Sequence, residues 1–269
     1  MAHVSRFTVL GAGGFIGRHL VAHLRASGHQ VLTPARDVSL AGQAHGHLIY
    51  AVGLTGDFRQ RPLDAVDAHV GLLARVLREA SFESFLYLSS TRVYGGLSAD
   101  QLAQEDMDLP QRPTLDGLYD LSKLLGESMC LAQNHPAVRV VRLSNVYGVG
   151  QSPHTFLQMV LAELLREGEV TIGEAAESTK DYVSLRDVIE LIPRISEHGD
   201  SRLYNLASGI NLSHRELAER LQVLTGARVR FAEDGVCRRF PRIDISRISR
   251  AFAWQPRSLL VDLPELLGR

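Results

Sequence analysis

Cysteine is nearly absent from this 269-residue chain: only Cys130 and Cys237 occur. Two cysteines suggest no disulfide framework, although they leave room for one bond. A reduced, cytoplasmic setting is the simpler expectation. Charge of one sign is missing as well. Lys and Arg number 29 and Asp and Glu 30, so the formal net charge is -1. No general field then draws nucleic acid or a membrane surface, and neither partner is expected. No uninterrupted apolar run reaches membrane-spanning length. The opening residues MAHVSRFTVLGAGGFIG have no long apolar stretch before their glycines, so no signal peptide is expected. The 11 histidines are scattered and no CxxC pair occurs, which predicts no metal site. Low-complexity segments and internal repeats are also lacking. What is present is a chain 45% hydrophobic and 22% charged, enough for a core of ordinary size.

The apolar pattern alternates between two periods. Short apolar runs at 6–10, 30–33, 47–52, 84–90 and 138–144 read as strands. Between them lie helical patterns. Ile16, Leu20 and Leu24 recur every four residues before Gly28. Val66, Val70, Leu73 and Leu77 line one side of 63–80, with Pro62 at a position that starts helices well. Strands alternating with helices predict a parallel sheet covered on both faces. After residue 150 the pattern changes to a helix at 154–167, a short strand EVTIG and two further helices. Ser213 with Glu216 fits a capping box at the start of the last of these. The expected organisation is a dinucleotide-binding domain over 1–150, with room for strands to return to it from later in the chain, and a smaller α/β lobe over 151–269.

GAGGFIG sets Gly11, Gly13, Gly14 and Gly17 between the first strand and the first helix. A tight turn there needs a residue free in φ. A pyrophosphate needs backbone N–H groups at close range with no Cβ in the way. The following helix N-terminus adds partial positive charge. The loop residues Gly11, Gly13, Gly14, Phe15, Ile16 and Gly17 are therefore cofactor-binding candidates. So are Ala51 and Val52 at the end of the third strand. An acid near the end of the second strand would hold a ribose, and Asp37 stands near that offset. Arg36 stands closer to the strand tip and suits a 2′-phosphate, leaving Asp37 and Val38 to lie against adenine. The balance favours NADP(H) slightly over NAD(H).

Tyr119 and Lys123 stand at i and i+4 in LDGLYDLSKLLGE, so they share a helix face. A nearby ammonium favours a phenolate, and a phenol so tuned can exchange a proton with an alcohol or carbonyl oxygen. Ser90 ends the strand SFLYLSS at the carboxyl edge of the sheet, where ligands of open α/β sheets bind.

GAGGFIG, LSSTRVYGG, YDLSK and RLSNVYGVGQ occur in an order that resembles the extended short-chain dehydrogenase/reductases, in the branch of nucleotide-sugar epimerases, dehydratases and reductases. TIGEAAESTKDYVSLRDV, YNLASG and WQP are similar to later landmarks of that family, so the likeness covers nearly the whole chain. It implies a Rossmann-type doubly wound parallel sheet and a Ser90, Tyr119, Lys123 catalytic triad. Lys123 would also hold the nicotinamide ribose. Thr91, Asn145, Lys180 and one of Arg238 and Arg239, with Arg239 taken as the candidate, would contact a nucleotide-sugar substrate. It further implies a homodimer through helices 62–80 and 119–134. Asp181 and Asp187 are read as bracing a turn, Trp254 as core, and the histidines as doing no chemistry.

Departures narrow the reading. The sugar-nucleotide 4,6-dehydratases of the family carry an Asp-Glu pair where Thr91 and Arg92 stand, so dehydration is not expected. Lys180 replaces an arginine and loses its bidentate fork. Only about a dozen residues join Arg36 to the strand at 47–52, too few for the usual helix plus strand plus helix, so the sheet should lack one strand unit near its adenine end. The leading expectation is a 4-ketoreductase. The alternatives are a 4-epimerase with retained NAD, a non-catalytic dinucleotide-binding protein, and a reductase of a non-sugar carbonyl.

Overall fold

The computed structural model describes residues 4–54 and 58–268. Strand β1 (Arg6–Leu10) leads into helix α1 (Phe15–Ala26), followed by β2 (Gln30–Leu32) and β3 (His47–Tyr50). The next helical segment has three parts: α2 (Pro62–Val66), a π-helical turn at Asp67–Gly71, and α3 (Leu72–Glu79). Then come β4 (Ser84–Ser90), a 3₁₀ turn at Thr91–Tyr94, β5 (Leu102–Ala103), α4 (Leu115–Leu131) and β6 (Val138–Leu143). The remainder is β7 (Asn145–Tyr147), α5 (Phe156–Glu167), β8 (Glu169–Glu174), β9 (Thr179–Ser184), α6 (Leu185–His198), β10 (Leu203–Leu206), β11 (Asn211–Ser213), α7 (His214–Thr225), β12 (Arg228–Val236), β13 (Arg242–Ile243), α8 (Ser246–Phe252) and α9 (Leu259–Leu266).

The central sheet has six parallel strands in the order β10-β6-β4-β3-β1-β2. Strand β2 ends the sheet, so the expected loss of one strand unit is seen at that edge. Both faces are buried, and period-two alternation divides the side chains between them. Ile49, Leu86, Leu88 and Val141 pack with α1 and α6 residues such as Leu20, Leu24, Leu191 and Ile195. Leu48, Tyr50, Phe85, Tyr87 and Val140 face the other way, against Leu73, Val76 and Cys130 of α3 and α4.

The sequence pattern extends the second and third strands to 33 and 52, beyond the observed ends at Leu32 and Tyr50. Residues 51–52 leave the ladder to run beside Gly11. The continuous helix expected over 63–80 is interrupted by the π turn. The chain after 150 contributes α6 and β10 to the first half, with β10 paired to β6. A separate apolar cluster joins α5, β8, α7 and α9 through Leu157, Leu161, Ile172, Leu217 and Leu263. The Ser213–Glu216 capping box is formed, with Ser213 N donating to the Glu216 carboxylate at 2.9 Å. Among the described residues no helix is long and apolar enough to cross a membrane.

Candidate active site

Gly11 has φ +84°, which favours glycine, and a Cβ there would stand 2.6 Å from the Ala51 carbonyl oxygen. Gly17 packs against the Gly11 carbonyl so closely that a Cβ would overlap it. These two glycines hold the loop against β3 and α1. Gly13 is different: an added Cβ would meet nothing within 4 Å, because this residue faces a cavity. Gly14 is the N-cap of α1 and supplies no side-chain cap, leaving first-turn N–H groups available to an anion. Phe15 and Ile16 begin α1, and Ile16 packs against the core. The cradle thus has the shape and donors that a pyrophosphate requires.

The cavity beside it measures about 350 Å³ and is lined by Gly11 to Gly13, Thr33 to Arg36, Val38, Val52, Leu72 and Arg75, among others. Arg36 pairs with Asp67 at 2.7 Å, and both are more than half exposed, so this pair adds little stability. Arg75 donates to the Arg36 carbonyl at 2.6 Å and brings a second guanidinium to the same wall. Glu79 also lines it. Asp37, Ala51 and the first residues of α1 are not part of the lining.

Ser90 ends β4 at the carboxyl edge of the sheet, and its Oγ accepts from Arg92 N at 3.2 Å. Tyr119 and Lys123 are both buried on α4, which begins at the Thr114 N-cap, whose Oγ1 accepts from Gly117 N. Burial pushes the Tyr119 phenol up to about 12. The Arg92 cation opposes this, Asp120 adds to it, and a hydrogen bond with Ser90 opposes it again. Burial pushes the Lys123 ammonium down to about 7, partly offset by Glu127. Lys123 Nζ donates to the Leu88 carbonyl at 2.9 Å. Ser90 and Tyr119 therefore share an interaction at the sheet edge, and Lys123 lies one helical turn behind them.

Arg92 covers this pair. Its guanidinium carbon lies 5.3 Å from the centroid of Tyr119 and 5.2 Å from that of Phe58, while its Nε donates to Asp120 at 3.0 Å. Thr91 is half-buried at the start of the same 3₁₀ turn. Asn145 Nδ2 donates to the Asp181 carbonyl at 2.8 Å. Lys180 pairs with Glu174 at 2.8 Å, and its ammonium sits 4.6 Å from the Phe156 ring centroid. Arg239 lines a second cavity of about 580 Å³ with Thr179, Asn211 and Phe240. Lys180 follows Thr179 in β9 and so projects from the opposite face of that strand.

A family model described as the NAD dependent epimerase/dehydratase family matches residues 7–60 and 43–207. This chain belongs to that family. It is an enzyme of the extended short-chain dehydrogenase/reductase type. It is 29% identical over 188 residues to a dTDP-glucose 4,6-dehydratase of Streptomyces griseus; the match covers 66% of this chain and 56% of that protein. It is 26% identical over 258 residues to a GDP-6-deoxy-D-mannose reductase of Pseudomonas aeruginosa, covering 85% of this chain and 83% of that one. A solved structure of RMD from Pseudomonas aeruginosa complexed with NADPH has the same fold, with a TM-score of 0.81, 23% identity and 98% of each chain covered.

Within this family member, several site residues carry no signal in the sequence pattern. Arg75 lies hidden in a helical run, with only its spacing from Leu72 and Val76 to suggest the cavity wall. Phe58 reaches Tyr119 through tertiary packing that no local pattern encodes, and Asp120, next to Tyr119 in the chain, is tied to the site through Arg92. His19 and His23 stand four apart on α1, a spacing that metal ligands can use, yet His19 Nδ1 is engaged with the Phe15 carbonyl at 2.8 Å. Among the described residues no group of three or more His, Cys, Asp or Glu gathers to hold a metal. Asp181 accepts from Ser208 N and Ile210 N, Asp187 accepts from Arg257 N, and Trp254 is buried in the core, all bracing roles.

Proposed function

We propose that the chain is an NAD(P)-dependent oxidoreductase acting on a nucleotide sugar, and specifically a 4-ketoreductase. The observation that carries this reading is the convergence of the glycine cradle and the Ser90, Tyr119, Lys123 group on one sheet edge, with Thr91 and Arg92 where elimination would need acids. Gly11 to Gly17 would hold the pyrophosphate, and Lys123 the ribose on the nicotinamide side. The nicotinamide, when bound, supplies the hydride. Ser90 polarises the substrate carbonyl oxygen by donating a hydrogen bond. Tyr119 gives that oxygen its proton, the role of a positioned general acid. A protonated Lys123 and Arg92 both favour the phenolate that remains. Asn145 and Arg239 are proposed substrate contacts, with the nucleotide diphosphate as the charge that Arg239 would meet; Lys180, held by Glu174 on the opposite face of β9, is not placed to share it. The Arg36 and Arg75 guanidiniums on one cavity wall are what favours single use of NADPH over a retained NAD.

The test is the cofactor content of the purified protein, together with a thermal-shift screen of nucleotide sugars. Protein that arrives free of dinucleotide and is stabilised by NADPH supports the reductase. Stoichiometric, tightly held NAD would favour a 4-epimerase instead. A homodimer through α2, α3 and α4 belongs to the same proposal, supported by exposed Leu63, Leu121 and Leu125 on those helices. A monomer in sedimentation at micromolar concentration would remove it.

A further inference from the structure

His69 is fully buried, and its Nε2 has no hydrogen-bond partner among the described residues. Leaving such an atom unpaired is costly, so it calls for an explanation. The other ring nitrogen is engaged. His69 Nδ1 lies 2.9 Å from Ser122 Oγ, and that hydroxyl donates to the Tyr119 carbonyl at 2.7 Å. The single hydroxyl proton of Ser122 is therefore spent, and Nδ1 must be the donor. Nε2 is left as a bare lone pair, an acceptor.

Its surroundings say what would donate to it. A Cβ built on Gly53 would stand 3.3 Å from His69 Nε2 and 3.5 Å from Lys123 Nζ, so both nitrogens border the same space above Gly53. Residues 51–53 reach that space directly from the glycine cradle, since Gly11 packs on Ala51 and Val52. On the dinucleotide reading, a pyrophosphate on Gly11 to Gly14 would have its second ribose beside residues 51–53. We infer that His69 Nε2 accepts a hydrogen bond from a hydroxyl of the nicotinamide-side ribose, beside the Lys123 ammonium. The ring stays neutral and able to accept, because burial, then the nearby Lys123 charge, push His69 down to about 2. The π turn at Asp67–Gly71 carries His69, and its ring meets Tyr119 edge-on at 5.1 Å. One residue thereby ties the ribose, Ser122 and the Tyr119 ring together. The inference rests on the dinucleotide reading above.

Calorimetry with ADP, ADP-ribose and NADPH tests it, because ADP lacks the second ribose. His69→Leu should weaken ADP-ribose and NADPH about tenfold or more, the scale of one lost hydrogen bond to a buried acceptor. ADP should change less than about twofold. His69→Gln, whose amide oxygen extends as far from the backbone as Nε2, should bring ADP-ribose back to within about threefold. If the leucine variant does not fold, His69→Asn takes its place, since the shorter amide keeps the Ser122 contact and withdraws from the ribose. Equal losses for ADP and ADP-ribose, or no loss for ADP-ribose, would overturn the inference while leaving the dinucleotide reading intact. Failure of the wild type to bind NADPH or ADP-ribose at all would remove both.

Discussion

Among the described residues, the one hydrogen bond made by Lys123 Nζ is the 2.9 Å bond to the Leu88 carbonyl, although Tyr119 shares its face of α4. The lysine is thus anchored to the sheet, one residue before the Ser89–Ser90 pair. The Arg92 guanidinium, in contrast, lies over the Tyr119 ring and is the cation that opposes the rise of the phenol. The two cations divide the work: Arg92 faces the ring, and Lys123 faces the space over Gly53.

That burial has a pH signature in stability. Lys123 titrates near 7 in the folded protein and near 10.4 when unfolded. The unfolded state therefore binds more protons between about pH 7 and 10, so stability from this group rises with pH across that window. Below pH 7 the penalty is fully present. Its ceiling is roughly 5 kcal/mol from the size of the shift, reduced by about 1 kcal/mol for the Leu88 bond. Without added dinucleotide, Lys123→Met should gain stability relative to wild type at pH 7, and the gain should shrink toward pH 9. Denaturant midpoints at the two pH values check this. A constant difference would mean that the lysine is not held against its charge.

The glycines separate folding from binding. Gly13→Val places its side chain in open space on the cavity wall and should leave stability within about 0.5 kcal/mol, as for a substitution outside the core. Dinucleotide affinity should fall at least tenfold, because that space is where the proposed pyrophosphate would lie. Gly17→Val should instead destabilise the fold, because its Cβ meets the Gly11 backbone. Calorimetry and thermal unfolding of the two variants read the contrast; equal NADPH binding by Gly13→Val and wild type would contradict it.

On the proposed reading, cofactor choice would fall to Arg36 and Arg75, which share one wall of the cavity. Replacing either by Ala should weaken NADPH at least fivefold more than NADH, since only NADPH carries the 2′-phosphate and a charged hydrogen bond contributes about 1.5–3 kcal/mol. Competition binding with both cofactors gives the ratio. Equal losses, or a wild type that prefers NADH, would move the choice to Asp37.

Much of the fold and site is legible in the sequence because it is local. Strand β4 ends where its apolar run ends, and Gly11 and Gly17 occupy positions that only glycine fills. The shortened sheet follows from chain length between Arg36 and His47. The roles carried by long-range packing are not legible. His69 sits in an amphipathic run and reads as an ordinary helical residue until Ser122 and Gly53 are brought to it from other parts of the chain. The π turn that aims it also has no period to reveal it. Lys180 reads as free to meet a phosphate, yet it lies against Glu174 and Phe156, contacts made across the strand and helix of the second lobe.

The central claim is that Tyr119 protonates a sugar carbonyl as hydride reaches the carbon. Its most direct test is NADPH oxidation with a 4-keto nucleotide sugar, followed in wild type and Tyr119→Phe, with NADPH affinity measured on both. The substitution removes the hydroxyl and keeps the ring that packs on Phe58 and His69. The account predicts turnover lower by roughly 10²–10⁴, the scale of a positioned acid, with NADPH affinity within about twofold. Turnover by Tyr119→Phe at the wild-type rate would contradict it.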